Sequence, residues 1–151
     1  MASPRRAGFR LPASRIELRQ PGMLGIIGNP VRASLSPRMH EAALRRLGLD
    51  ARYLPFEIAR GELRDVMRAL RPLGFWGINV TIPYKEAVLR HLDRVDAAAA
   101  AIGAVNTVVV GPQGLVGHNT DAPGFLLALR EAGAGVRGGQ VLVLGAGGAA
   151  R

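Results

Sequence analysis

"MLGIIGNPVRASLSPRMHEAALRRLGLDARYLPFEI", residues 23 to 58, decides the fold class. "MLGIIG" is a short apolar run with no polar side, which suits a strand covered on both faces, and the Gly-Asn-Pro that follows is a turn. "SPRMHEAALRRLGLD" then reads as a helix, with Ser36 as its N-cap, Pro37 in the first turn and Gly48 as the C-terminal stop. "ARYLPFEI" is a second strand. A strand, a helix and a strand at this spacing make the unit that joins two parallel strands.

Working outward, the same alternation continues. "GELRDVMRALRPLG" is a second amphipathic helix with Leu63, Val66, Met67 and Leu70 on one face, and "FWGINVTI" is a third strand. Pro83 is read as opening a third helix, "PYKEAVLRHL", and the alanine-rich "DRVDAAAAAIG" as another. "AVNTVVV" and "GLVGHNT" flank "GPQG" as a hairpin, and "DAPGFLLALREAG" is a long helix stopped at Gly133. The expected fold class is α/β: a mostly parallel mixed sheet flanked by helices, with an antiparallel edge. Residues 1–21 carry five arginines and no apolar h-region, so they are read as an arm outside the fold and not as a secretory signal.

Composition narrows the function classes. The 151 residues are 48% hydrophobic, enough for one sizeable core, and no apolar run approaches the roughly 20 residues of a membrane span. With no cysteine there is no disulfide framework, thiolate metal site or cysteine nucleophile, no metal centre is expected, and a cytoplasmic protein is the default. The net charge of +9 invites a nucleic-acid reading, but the arginines are scattered over helices and no aromatics interleave with them. Small anionic ligands suit such a surface better than nucleic acid or membrane. Oligomeric state is not readable, and a homodimer stays open.

The last residues, "GGQVLVLGAGGAAR", place an apolar strand before Gly145, Ala146, Gly147, Gly148 and Ala149. This fits the dinucleotide fingerprint, whose glycines let backbone approach a pyrophosphate. The helix that such a loop opens has no residues before Arg151, so the expectation is a fragment: a full domain plus the first strand and glycine loop of a second. Residues 22–120 form the first domain, 121–138 a connecting helix, and 139–151 the incomplete cofactor domain.

Polar residues gather where strands end: Ser34 and Ser36, Asn79 and Thr81, Lys85, Asn106 and Thr107, Asn119, Thr120 and Asp121. Ligands bind at such ends in open α/β sheets. Each residue also has an ordinary structural explanation: Ser36, Thr120 or Asp121 as a helix cap, the asparagines as partners of loop backbone, Lys85 as a solvated helix residue. Five loops doing this together favour a site.

The motifs "GNPVRASLSPRMH", "GINVTIPYK", "AIGAVNT" and "GHNTDAPG", followed by "GAGGAAR", resemble the shikimate dehydrogenase family over residues 22 to 151. The resemblance implies a substrate-binding α/β domain joined to a Rossmann domain, and NADPH-dependent reduction of 3-dehydroshikimate to shikimate in aromatic amino-acid biosynthesis. It implies that Ser34 and Ser36 hold the substrate carboxylate, that Thr81 contacts the ligand, and that Asn106 and Asp121 bind ring hydroxyls. Lys85 is the implied catalytic lysine, with Asp121 beside it, and residues 145–149 the implied NADP pyrophosphate loop. Ala33 departs from the family, which often has histidine there. A quinate or aminoshikimate dehydrogenase, with NAD as the alternative cofactor, and a non-catalytic shikimate-binding module remain the alternatives. Lys85 is the single lysine among twenty lysines and arginines. Arginine balances charge but cannot release a proton, so a retained lysine fits a proton-transfer role.

Overall fold

The computed structural model describes residues 21–135, 138, 140–148 and 150. It opens on the expected unit: β1 (Gly22–Gly28), α1 (Ser36–Leu47) and β2 (Ala51–Glu57), with β1 and β2 parallel from Gly22 opposite Ala51 to Gly28 opposite Glu57. A 3₁₀ turn (Arg60–Glu62) leads into α2 (Leu63–Ala69), and β3 (Phe75–Val80) then pairs parallel with β1. After a second 3₁₀ turn (Ala87–His91) come β4 (Arg94–Val95) and α3 (Ala97–Ile102). The expected hairpin follows as β5 (Thr107–Gly111) and β6 (Gly114–His118), and α4 (Asp121–Glu131) leaves the sheet. The strand order is β2-β1-β3-β5-β6-β4. Pairs β1–β2, β1–β3 and β4–β6 are parallel, while β3–β5 and β5–β6 are antiparallel, so the sheet is mixed as expected. Its one reversed strand, β5, lies inside the order, however, and not at the expected antiparallel edge, since both edge strands, β2 and β4, pair parallel.

Adjacent β1 residues Ile26 and Ile27 point to opposite faces, and each belongs to a different apolar cluster. Ile27 joins Leu63, Met67 and Leu70 of the α2 segment, with Val88, Val105 and Val108; Ile26 joins Leu44 of α1, Val31 and Tyr53. One sheet is therefore covered on both sides, which is why "MLGIIG" has no polar side.

Four further expectations are corrected. Leu35, not Ser36, occupies the N-cap of α1; Ser36 begins the helix, and its backbone N–H donates to Ser34 Oγ at 3.2 Å. Gly48 does end the helix, at φ +66°. Residues 83–92 do not form an α-helix: the Lys85 carbonyl accepts from Val105 N–H at 2.8 Å, which takes it from a helical ladder, and only the 3₁₀ turn forms. The "DRVD" stretch is not helical either, because Asp96 caps α3 by accepting from Ala99 N–H at 2.7 Å, and Arg94–Val95 pair with β6 instead. Residues 141–144, expected as a strand, carry no regular structure. A strand is defined by a hydrogen-bonded neighbour, and none of the described residues supplies one. The arm expected over residues 1–21 lies almost wholly outside the described residues.

Candidate active site

The topology gathers the polar residues at one edge of the sheet. β5 runs antiparallel to β3, placing Thr107 opposite Asn79, and β6 runs back so that His118 is opposite Thr107. The end of β3, the start of β5 and the end of β6 therefore meet. Thr81 and Lys85 leave from the first, Asn106 enters at the second, and Asn119, Thr120 and Asp121 follow the third.

A cavity of about 630 Å³ opens at this edge, and Ser36, Thr81, Lys85, Asn106 and Asp121 all line it. Ser34 does not line it; its hydroxyl is turned to the Ser36 backbone. Gly25 and Gly77 form part of the wall, and a Cβ on Gly77 would stand 2.7 Å from the Val108 carbonyl oxygen, so the strands pack there without side chains.

One hydrogen-bonded chain crosses the cavity. Tyr53 OH donates to Asn79 Oδ1 at 2.7 Å, and Asn79 Nδ2 donates to Thr107 Oγ1 at 3.0 Å. Thr107 Oγ1 donates to Asn106 Oδ1 at 3.1 Å, and Asn106 Nδ2 donates to Asp121 Oδ1 at 2.7 Å. Asp121 Oδ2 accepts from Lys85 Nζ at 2.5 Å. Asn106 is the hub: it is buried, its Oδ1 also accepts the Thr120 N–H at 2.9 Å, and its Nδ2 reaches Thr120 Oγ1 at 2.8 Å. Among buried side-chain polar atoms of the described residues, none lacks a partner. The network is satisfied, which makes it rigid.

Neither Thr120 nor Asp121 caps α4 with its side chain. Asn119 does, its Oδ1 accepting from Asp121 N–H at 3.0 Å and Ala122 N–H at 3.1 Å while its Nδ2 holds the Ala104 carbonyl at 3.0 Å. This ties the Asp121 backbone to the start of the helix. The Lys85 side chain is only 13% exposed and that of Asp121 is 49% exposed, so the ammonium is held inside and the carboxylate faces the opening.

Two site residues escaped the sequence reading. His40 and Tyr53 line the cavity and stack with ring centroids 4.3 Å apart and planes 9° apart. His40 lies four residues after Ser36 on one helix face, a spacing that could have flagged it. Burial pushes the Tyr53 phenol up to about 12, with the Ser36 hydroxyl pulling the other way, so Tyr53 remains a neutral donor. Burial also holds His40 below 6.5. The unfolded chain therefore protonates first on acidification: this contribution to stability is complete above about pH 6.5 and is lost as pH falls through the lower folded value. Thermal unfolding should show Tm falling from pH 7 to pH 5, and His40→Gln should flatten that slope. His91, lowered by burial and by Arg90, Arg64 and Arg68, adds a slope of the same sign that the variant leaves in place.

The glycine loop forms a second cavity, about 530 Å³, in which Gly145, Gly147 and Gly148 face Ile82, Pro83, Lys85 and Glu86. Ala146 is not part of its wall, and Ala149 lies outside the described residues. Gly145 holds φ +109°, Gly147 faces open space, and a Cβ on Gly148 would lie 3.0 Å from Lys85 Cβ. Such a bare backbone fits the approach of a phosphate group. Lys85 lines both cavities.

The family model described as the shikimate dehydrogenase substrate binding domain matches residues 26–108. A shikimate dehydrogenase (NADP(+)) of Carboxydothermus hydrogenoformans is 53% identical over 129 residues, covering 85% of this chain and 46% of that protein. Shikimate dehydrogenase 1 of Peptoclostridium difficile superposes with a TM-score of 0.83 at 35% identity, over 85% of this chain and 48% of that one. Shikimate 5-dehydrogenase of Thermus thermophilus, solved in complex with shikimate, gives 0.79 at 46% identity, over 85% and 49%. The chain spans about half the length of these relatives. The family match runs from within β1 into β5 and takes in Ser36, Thr81, Lys85 and Asn106, four of the five expected residues that meet in the first cavity, and on that match the chain belongs to the shikimate dehydrogenase family through its substrate-binding domain.

Proposed function

We propose that this chain supplies the substrate half of an NADP-dependent shikimate dehydrogenase, binding 3-dehydroshikimate in the first cavity and placing its ketone at Lys85. The observation that carries the reading is the position of Lys85 in the wall shared by the polar cavity and the glycine-loop cavity. A proton donor for a carbonyl being reduced by a dinucleotide belongs at that boundary. The bound cofactor supplies the hydride; the chain's residues bind, orient and protonate.

Ser36 and Thr81 offer hydroxyls to the substrate, with Ser36 nearest the helix start and suited to the carboxylate. Ser34 acts through Ser36, whose N–H it holds. Asp121, its side chain half exposed, offers the remaining lone pairs of its carboxylate to the ring hydroxyls while its contacts with Asn106 and Lys85 hold it in place. Asn106 has its donors and its acceptor engaged, so it works by holding Asp121 in place. On reduction, Lys85 Nζ gives one proton to the oxygen that was the ketone, and the neutral amine is reprotonated from solvent through the open side at Asp121. Residues 145–148 would hold the cofactor pyrophosphate on backbone N–H groups. A cytoplasmic location accords with this biosynthetic chemistry.

The test is a chimera in which residues 22–151 replace the matching half of the Carboxydothermus hydrogenoformans relative. It should oxidise NADPH when given 3-dehydroshikimate, and oxidise shikimate in preference to quinate in the reverse direction. A folded chimera that prefers quinate corrects the substrate, and one inactive with both contradicts the proposal.

A further inference from the structure

A third hollow, about 440 Å³, shares no lining residue with either cavity above. Arg64, Arg68 and Arg71 reach it from the α2 segment, at spacings of four and three that put them on one helical face. Arg90 and His91 face them from the 3₁₀ turn. Among the described residues none of these arginines forms an ion pair. Asp93 is the single acid in the lining, and its Oδ2 is occupied by the Leu115 N–H at 2.7 Å. Four exposed guanidinium groups thus line one concavity with a single carboxylate among them, an excess of positive charge that favours an anion. Burial first, and then the Arg90, Arg64 and Arg68 charges, hold the His91 imidazole below its ordinary value, which places that ring within reach of their field.

We propose that this hollow is a binding site for a small anion carrying two or more phosphate groups, separate from the dehydrogenase site and independent of the function proposed there. Guanidinium forks match phosphate oxygens in pairs, and four arginines against one aspartate leave more positive charge than the roughly two negative charges of one orthophosphate can balance. The volume lies within the roughly 300–1,000 Å³ of small-molecule pockets. The floor is apolar, with Met67 and Leu115, and no Phe, Tyr or Trp ring lines the hollow, which disfavours a nucleic-acid strand.

The test follows the His91 ring protons of the 151-residue chain by NMR across pH, with inorganic tripolyphosphate as the probe. Saturable binding should raise the His91 pKa, since the anion offsets the arginine charges, while the amide of Asp121 stays unmoved. Arg68→Gln with Arg90→Gln should weaken binding roughly tenfold or more, as expected for lost hydrogen bonds to charged groups. Both side chains are exposed, and if that double variant does not fold, the single Arg71→Gln carries the same expectation at smaller size. An equal His91 shift with sulfate at matched ionic strength would mean screening alone and overturn the proposal. So would unchanged affinity in the variants, or tighter binding of an oligothymidine strand than of tripolyphosphate.

Discussion

Lys85→Arg in the chimeric enzyme should keep the positive charge and much of the substrate affinity while lowering kcat by about 10²–10⁴-fold, the usual contribution of a positioned proton donor. The ammonium sits 2.5 Å from Asp121 Oδ2, its side chain is 13% exposed, and the stem runs close enough to the glycine loop that a Cβ on Gly148 would lie 3.0 Å from Lys85 Cβ. A guanidinium is wider than an ammonium and holds its proton at every working pH. Lys85→Ala should lose a comparable factor. The contrast between the two variants separates charge from proton transfer. If arginine restores most of the rate, Lys85 is an electrostatic anchor and the proposed mechanism fails, although family membership stands.

The second large effect is expected at Asn106, through the network rather than through substrate contact. In Asn106→Asp, the Nδ2 that now donates to Asp121 Oδ1 at 2.7 Å becomes an oxygen, and two carboxylates face each other beside a buried backbone. The change should cost about 2–4 kcal/mol near neutral pH, from lost donation plus like-charge repulsion. It should also abolish measurable shikimate binding, since Asp121 and Lys85 lose their alignment. The repulsion raises a carboxyl pKa, so the penalty is full above that value and shrinks as acid protonates the pair. Asn106→Ala, which leaves the Thr120 N–H without its acceptor but adds no charge, should cost about 1–3 kcal/mol. Urea unfolding of the three proteins at two pH values checks the order. A loss under about 0.5 kcal/mol for the aspartate variant would place Asn106 outside any organising role.

Much of this arrangement was legible because the signals were local. Gly48 stops its helix in the left-handed conformation, and the hairpin around residues 111–114 follows from its flanking alternation. The gathering of polar residues at strand ends also survived, since parallel and antiparallel pairing bring those ends to one edge of the sheet. What escaped depends on partners distant in sequence. Arg94–Val95 are a strand solely by pairing with β6, and residues 83–92 miss the helix because Val105 takes the Lys85 carbonyl. Ser36 looked like a cap, yet the chain enters α1 one residue earlier, and Asn119 rather than its neighbours caps α4. His40 and Tyr53 join the site through a ring stack between a helix and a strand that no single-segment pattern displays.

The central claim is that the first cavity holds shikimate, and titration of the 151-residue chain with shikimate, followed by backbone amide NMR without cofactor, tests it most directly. Saturable shifts are expected at Ser36, Thr81, Lys85, Asn106 and Asp121, with the hollow around Arg68 and Arg90 unaffected. A well-folded chain that shows no shifts at these residues in millimolar shikimate would contradict the account.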